Sequence, residues 1–312
     1  MSAERETATD GIAVIGMACR FPDATDVDQY WDNLVAGREC ITRYARADLV
    51  RAGVPEQLAA STRCVGARGV VDAIEEFDAE FFKMSPREAA ATDPQQRLFL
   101  EIAWEAMEAA GHVPGAAGEI VGVYAGCGQP TYLVNNLDEV IRQEGEQRVT
   151  RIEAGLGNDK DYLANRVAYK LGLTGPAVSV QTACSSSLVA VAMAAQALDC
   201  YDCDIALAGG SNVHVPQVSG YAWEPNGIMS AAGSCRPFDR RADGTVPGDG
   251  VGAVVLRRLA DAIERRGRDP RGDPRLGGQQ RRRGQSRLHR AEHRRATKGP
   301  PHRSGQGGSH RR

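Results

Sequence analysis

Strand-like and helical segments alternate along most of this chain, and the alternation limits the folds open to it. Five apolar runs are typical of buried strands, and they read IAVIG (residues 12–16), EIVGVYAGC, GPAVSVQTA, CDIALAGGSNV and GVGAVVL. Helical patterns separate them, so the sequence predicts an α/β fold with a sheet largely buried between helices. With 312 residues and 42% apolar content, the chain has room for one large domain or two small ones.

Capping residues mark the predicted helices. One helix is predicted over residues 26–37, beginning at Asp26, and another from Asp93 to the glycine at 111, with Pro94 in its first turn. Apolar residues cover most of that second helix, so we expect it to be buried on more than one side. A third, amphipathic helix, NDKDYLANRVAYKLGL, is expected to be capped near Asn158.

Membrane and metal functions find little support in the sequence. No run of about 20 apolar residues is present, so no membrane-spanning helix is predicted. The first residues, MSAERETATDG, lack the apolar segment of a secretion signal, which favours a cytoplasmic protein. Of eight scattered cysteines only Cys200 and Cys203 form a C-x-x-C pair, and no second pair or histidine pair completes a zinc site. Free thiols and no metal are therefore expected.

The composition changes abruptly near residue 270. Residues 271–312 contain 13 Lys and Arg, 2 Asp and Glu, and only four apolar residues. Such a segment cannot bury a core, so we divide the chain into a domain over residues 11–270 and a disordered basic tail over residues 271–312. The tail lacks the aromatic residues that single-strand nucleic-acid binders stack against bases, which makes nucleic acid an unfavoured partner.

The segment VQTACSSSLVAVAMAAQAL places Cys184 where a strand turns into a small-residue helix. At a helix start the unpaired N–H groups and the helix dipole favour the reactive thiolate. The same groups, including the backbone N–H of Cys184, can hold a developing oxyanion. Cys184 is therefore a candidate nucleophile, and a small buried hydrophobic residue fits the local pattern equally well. The following helix is apolar nearly all round, so we expect it to be buried on both sides.

The motif ACSSSLVAV resembles the active-site segment of β-ketoacyl synthases, specifically the ketosynthase domains of modular type I polyketide synthases. The same family is resembled by IAVIGMACRFP, FDAEFFKMSPREAAATDPQQRLFLEIAWEAMEAAG, YKLGLTGPAVSVQTACSSS, ALAGGSNV and CRPFDRRADGTVPGDGVGAVVLRRLADA. The resemblance spans residues 11–270 and implies a thiolase-like fold of two similar halves, each a sheet sandwiched by helices. This chain would hold the N-terminal half and part of the core, with the C-terminal half missing.

The resemblance implies a reaction as well. Cys184 would take an acyl chain, as a thioester, from the phosphopantetheine of an acyl carrier protein. A malonyl-type extender on a second carrier would lose CO₂, and its carbanion would attack that thioester in a decarboxylative Claisen condensation. The expected partners are an acyl carrier protein and, for the intact family fold, a second copy in a homodimer, and no bound cofactor is expected.

Two family histidines stabilise the carbanion, and they lie in E-x-H-G-T-G-T and N-x-G-H motifs. Neither motif occurs in this sequence, and His112 and His214 match neither position, so both are expected to be structural or exposed. The chain as written is therefore expected to be truncated and unable to condense, although loading of Cys184 needs mainly the thiolate and the N–H groups. A half-domain would expose faces meant for packing, so poor solubility is expected.

Where the family continues with GSAVNNDG, this sequence reads RGDPRLGGQQRRRGQSRLHRAEHRRATK. Suitable synonymous codons for these residues, read one base later, give AVIRGSAVNNDGAGKVGFT, which matches the family. We therefore interpret residues 271–312 as a frameshifted translation, from either a sequencing error or a broken gene. Because the sequence begins close to the first family motif, no preceding domain is expected.

Two alternatives to a ketosynthase stay open. The first is a non-condensing, carrier-binding or scaffold protein, against which retention of Cys184 and of the intact TACSSS motif argues. The second is a nucleic-acid-binding protein that acts through the basic tail. Strongly salt-dependent DNA binding that disappears when residues 271–312 are deleted would favour it.

Overall fold

The computed structural model describes residues 11–115, 118–138, 141–142 and 150–268, with side chains described as far as residue 265. The basic tail, and with it the frameshift hypothesis and the boundary of the domain at residue 270, lies outside the described residues. The sheet and the helices packed on it belong to a compact unit that ends at Ala262.

A five-stranded sheet forms the centre of the fold. Its strands are β1 (Ile12–Arg20), β5 (Val121–Cys127), β6 (Ala177–Ser179), β7 (Ile205–Asn212) and β9 (Gly250–Arg258), in the spatial order β1-β9-β7-β5-β6. The pairs β7–β5 and β5–β6 are parallel, whereas β1–β9 and β9–β7 are antiparallel. The five predicted strands are all present. β1 is longer than expected because a bulge between Val14 and Gly16 lets the pairing with β9 continue to Arg20.

Helices surround the sheet, and short strands form two small additional pairs. Within the described residues the α-helices are α1 (Val27–Val35), α2 (Arg46–Arg51), α3 (Glu56–Ala59), α4 (Pro86–Ala91), α5 (Pro94–Ala109), α6 (Arg151–Asn158), α7 (Tyr162–Leu171), α8 (Ser186–Asp199) and α9 (Leu259–Arg268). The short strands are β2 (Thr42–Arg43), β3 (Cys64–Val65), β4 (Ala67–Arg68) and β8 (Tyr221–Ala222), which pair as β2–β4 and β3–β8.

Three layers result, with the sheet in the middle. On one face α5 and α7 pack on the sheet in a core that includes Phe99, Ile102 and Leu163. On the other face α8 packs on β5 and β7 through Ala190, Ala194 and other small residues. This arrangement confirms the predicted α/β fold with a sheet between helices.

The cap prediction for α5 is confirmed. Its first helical residue is Pro94, and the Asp93 carboxylate accepts a hydrogen bond from the Gln95 amide at 3.0 Å. Gly111, with φ of +72°, lies just past the helix end in the left-handed region that favours glycine. The buried residues of α5 occupy more than one side of the helix, as expected; they are Pro94, Gln95, Gln96, Leu98, Phe99, Leu100, Ile102, Ala103, Ala106 and Met107.

The predicted start of the third helix was wrong. Asn158 ends α6 rather than capping α7, which begins at Tyr162. The reason is a capping box between Thr150 and Glu153, which begins a separate helix ahead of the NDKD segment. The Asn158 amide group then donates hydrogen bonds to the carbonyls of Ala91 and Ala154, both at 2.8 Å.

Helix α8 is buried on one side only, which corrects the expectation of burial on both. Ala190, Ala194 and Leu198 face the sheet and are inaccessible to solvent, whereas Leu188 is 72% exposed. Met193 is also exposed. Small residues allow α8 to approach the sheet closely, and no described element covers its outer side.

Candidate functional site

Cys184 lies in a short turn between β6 and α8. The strand ends at Ser179, and the turn of 3₁₀ helix that contains Cys184 spans Ala183–Ser185. The strand therefore does not run straight into the helix as the sequence suggested. Cys184 is exposed, which excludes the alternative of a small buried hydrophobic residue for this chain.

The residue before Cys184 adopts an unusual backbone conformation. Ala183 has φ of +54°, in the left-handed region that residues other than glycine rarely enter. An alanine there costs of order 1–2 kcal/mol relative to a right-handed residue. Such a conformation persists only where neighbouring contacts hold it.

Two serines supply those contacts. The Ser186 hydroxyl accepts a hydrogen bond from the Thr182 amide at 2.9 Å and donates one to the Ala183 carbonyl at 2.8 Å. The Ser185 hydroxyl donates to the Thr182 carbonyl at 2.8 Å and lies 3.1 Å from the Thr182 hydroxyl. The sequence predicts no hydrogen bonds for these serines, which enter there only as part of the TACSSS motif.

The backbone N–H of Cys184 forms no hydrogen bond within the described part of the chain. It lies beside the start of α8, whose first-turn N–H groups lack intrahelical acceptors. A sulfur and an unpaired N–H on one residue suit attack on a carbonyl carbon, because the oxygen that gains charge needs a donor.

The other cysteines differ in exposure: three are buried, two are exposed, and Cys40 and Cys64 are intermediate. Burial raises the pKa of Cys127 to about 12 and that of Cys19 to about 11, so both are thiols near neutral pH. Cys200 and Cys235 are exposed, as Cys184 is, but neither precedes a helix. In the C-x-x-C pair, Cys203 is buried while Cys200 is exposed. Within the described residues no group of three or more His, Cys, Asp or Glu side chains could hold a metal ion.

Both described histidines belong to the scaffold. His112 is buried, and its Nδ1 lies 3.0 Å from the Glu119 carboxylate, which also binds Arg257 at 2.7 Å. His214 donates its backbone N–H to Asp249, while burial and the nearby Arg68 lower the pKa of its imidazole. Both residues therefore have structural contacts in the described fold, while their absence from the family histidine positions stays a prediction.

A cavity of about 370 Å³ opens beside the segment that leads to Cys184. Gln181 forms part of its wall, three residues before the cysteine. The lining residues are Gln129, Pro130, Leu133, Gly155, Asn158, Asp159, Lys160, Asp161 and Gln181. Sequence reasoning did not find this cavity, because its residues come from three separate segments. The charged NDKD run between two helices was the available signal.

A buried amide and carboxyl hold one wall of that cavity. The Gln95 side chain accepts from the Gly128 amide at 3.0 Å and donates to the Gln129 carbonyl at 3.3 Å and to Asp93 at 3.1 Å. Burial raises the pKa of the Asp93 carboxyl to about 6, against the opposing effect of its hydrogen bonds to Gln95. The start of α5 therefore fixes the loop that follows β5.

Among the helices of the described residues, none has the length and the apolar character of a membrane-spanning segment.

Residues 9–262 match the family model of the β-ketoacyl synthase N-terminal domain. Over 260 residues the chain is 46% identical to one of the phenolphthiocerol/phthiocerol polyketide synthase subunits of Mycobacterium tuberculosis, and over 267 residues it is 42% identical to another. These alignments cover 82% and 83% of this chain but only 17% and 12% of the two relatives.

Solved ketosynthase structures share the fold. Ketosynthase twelve of the bacillaene polyketide synthase of Bacillus amyloliquefaciens matches with a TM-score of 0.72 at 30% identity, over 82% of this chain and 44% of that one. The ketosynthase from module 6 of the bacillaene synthase of Bacillus subtilis 168 matches with a TM-score of 0.65 at 34% identity, over 82% and 41%. The chain therefore spans less than half of each of these two structures.

Proposed function

The chain belongs to the β-ketoacyl synthase family, and we propose that its Cys184 is the residue that accepts the acyl chain. Ketosynthases of polyketide synthases are condensing enzymes that work with acyl carrier proteins. The observation that carries the proposal is the exposed Cys184 thiol beside its own unpaired N–H, at the start of α8.

The step is a transthioesterification. The Cys184 sulfur, as thiolate, attacks the carbonyl carbon of a thioester on the phosphopantetheine arm of an acyl carrier protein. The carbonyl oxygen gains negative charge, which the Cys184 N–H stabilises. The bond between that carbon and the carrier sulfur then breaks, and the carrier leaves as a thiolate that takes up a proton. No bound cofactor takes part in this step.

The proposal for this chain ends at the acyl-enzyme. Decarboxylative condensation with a malonyl-type extender is proposed for the complete domain, because the chain spans less than half of the solved ketosynthases it resembles. A second copy of the chain is the proposed subunit partner, and the cytoplasm is the proposed location. Within the described sheet β6 is an edge strand close to the Cys184 turn, which supports pairing there with a further strand or subunit.

Neither alternative function gains support. The scaffold interpretation leaves the strained turn at Cys184 without a purpose, and the nucleic-acid interpretation depends on a tail outside the described residues. The family match covers the domain that carries Cys184.

The test is acyl transfer to the full chain. The protein is incubated with hexanoyl-acyl carrier protein, and the intact mass is followed with time. We expect one acyl group to be added, and we expect Cys184→Ala to abolish the addition. Cys235→Ala is the matched control, since Cys235 is exposed like Cys184 but does not lie at the start of a helix. Acylation that survives in Cys184→Ala would refute the proposal.

A further inference from the structure

The turn at Cys184 depends on a single hydroxyl that contacts two backbone groups just ahead of the cysteine. The Ser186 Oγ binds the Thr182 amide at 2.9 Å and the Ala183 carbonyl at 2.8 Å. Both bonded groups belong to the two residues immediately before Cys184, and Ser186 is the second residue after it. The hydroxyl therefore fixes the backbone conformation of the two residues that precede Cys184.

Ala183 needs such a constraint. Its φ of +54° is disfavoured for alanine, so without the hydrogen bonds to Ser186 the peptide would relax toward a right-handed or extended conformation. That relaxation would rotate the following residue. The sulfur and the N–H of Cys184 would then no longer be presented together to one carbonyl group.

The sheet provides a reference for the position of Ser186. A Cβ atom added to Gly126, near the end of β5, would lie 2.8 Å from the Ser186 Cβ and 2.3 Å from the Val180 carbonyl oxygen. Only a glycine allows this approach. Ser186 therefore packs against β5, which fixes its position. Its hydroxyl group hydrogen-bonds to the turn and so holds the turn in a fixed place relative to the sheet.

We infer that Ser186 is a positioning residue for acyl transfer, which orients the sulfur and the backbone N–H of Cys184 by holding Ala183 in its left-handed conformation. The inference rests on the proposed role of Cys184 as the acyl acceptor. Acyl transfer needs both groups aligned on one carbonyl, whereas alkylation by a small reagent needs the thiolate but no donor for a carbonyl oxygen. The two reactions therefore separate a positioning role from a merely structural one.

The experiment compares Ser186→Ala with Ser187→Ala in the full chain. Ser187 is exposed and takes no part in the hydrogen bonds of the turn. The probe is the hexanoyl thioester of N-acetylcysteamine at increasing concentration, and iodoacetamide labelling of Cys184 is measured in parallel. For Ser186→Ala we expect the limiting acylation rate to fall about 10- to 100-fold, with little change in the half-saturating concentration or in alkylation. Ser187→Ala should behave like the wild type.

A double variant tests the same inference through the backbone. Glycine adopts positive φ without strain, so Ala183→Gly removes the need for the restraint. We expect Ala183→Gly combined with Ser186→Ala to recover most of the acylation rate that Ser186→Ala loses. If Ser186→Ala alone folds poorly, the double variant still tests the inference, because Ala183→Gly removes the backbone strain that Ser186 opposes.

Two results would overturn the inference while leaving the proposed function standing. One is an acylation rate for Ser186→Ala within about threefold of the wild type, where Cys184→Ala abolishes acylation. The other is an equal fall in acylation and alkylation that Ala183→Gly does not reverse. Acylation that persists in Cys184→Ala would instead remove the proposed function itself.

Discussion

The Ser186 hydroxyl accepts a hydrogen bond from the Thr182 amide at 2.9 Å, and these two residues close the turn around Cys184. All the side-chain hydrogen bonds that shape this turn join residues 182–186 to one another. The geometry of the nucleophile is therefore local, apart from its seating on the end of β5. A chain that spans less than half of a solved ketosynthase can still hold this turn in place.

The buried Asp93 carboxyl should make stability depend on pH. Burial raises its pKa to about 6, above the value of about 3.9 in an unfolded chain. The folded state therefore holds the proton more tightly, and stability is lost as pH rises from about 4 through 6. Relative to the wild type, Asp93→Asn should gain about 2–3 kcal/mol of unfolding free energy between pH 4 and pH 7. Urea unfolding at both pH values measures this gain.

Asp48→Asn is the control for that measurement, because Asp48 pairs with Arg51 at the surface. It measures the effect of replacing an exposed carboxyl by an amide at the same two pH values. A pH-independent difference between Asp93→Asn and the wild type would contradict the assignment.

The buried ion pair between Arg68 and Asp249 should be a strong determinant of stability. Arg68 donates to the Asp249 carboxylate at 2.7 Å, and the same carboxylate accepts from the His214 amide and from Gln217. Asp249→Ala leaves a buried guanidinium without its counter-charge, which should cost about 3–5 kcal/mol. Chemical denaturation measures the loss.

Arg51→Ala is the comparison for the ion pair. It removes a surface pair with Asp48 at 3.1 Å, and it should cost less than about 1 kcal/mol. Equal costs for Asp249→Ala and Arg51→Ala would show that burial does not strengthen the dependence on the Arg68–Asp249 pair.

The outer side of α8 should limit the solubility of the isolated chain. Leu188 is 72% exposed, and Met193 is exposed on the same helix. Exposed apolar surface of this kind promotes association. Leu188→Lys with Met193→Lys should raise the soluble, monodisperse fraction in size-exclusion chromatography and leave the melting temperature nearly unchanged.

The buried side of α8 supplies the control. Leu198 is fully buried, so Leu198→Lys should unfold the domain rather than improve its behaviour. If the wild-type chain is already monodisperse at high concentration, the prediction about the outer side of α8 is wrong.

The DNA that encodes the basic tail should contain a shifted frame. Independent sequencing across the codons for residues 269–278 should give one of two results. Either the gene carries one base too many or too few at this point, or its uninterrupted reading frame continues with GSAVNNDG. Synonymous codons exist for the tail residues whose shifted reading contains that family sequence. A confirmed sequence whose alternative frame contains no family motif would contradict the hypothesis.

Local chemistry explains which parts of the fold the sequence could predict. The Asp93 cap, the Pro94 start and the strand runs depend on neighbours in the chain, and the structure confirms them. Asn158 was misplaced because a run of several capping residues offers more than one helix start, and the Thr150–Glu153 capping box decides between them. The choice needed contacts that periodicity does not contain.

The candidate site divides in the same way. Cys184 follows from a strand, a cysteine and a helix in succession, so the sequence identifies it as a candidate. The left-handed Ala183 does not follow, because alanine carries no preference for that conformation and the serine hydrogen bonds impose it. The cavity beside Gln181 also could not be predicted, since it forms between segments that are distant in the chain.

The pairing of β1 with β9 determines when the first strand of the described sheet can find its partner during synthesis. Ile12 lies opposite Arg258, so the first strand of the described sheet has to wait for the last one before the two can pair. During synthesis β1 carries unpaired N–H and C=O groups, and such edges invite pairing with other chains. Each of the five described strands is nevertheless complete once Arg258 has emerged. A change of reading frame after residue 270 therefore alters none of these strands, because it affects only residues that are synthesised after β9.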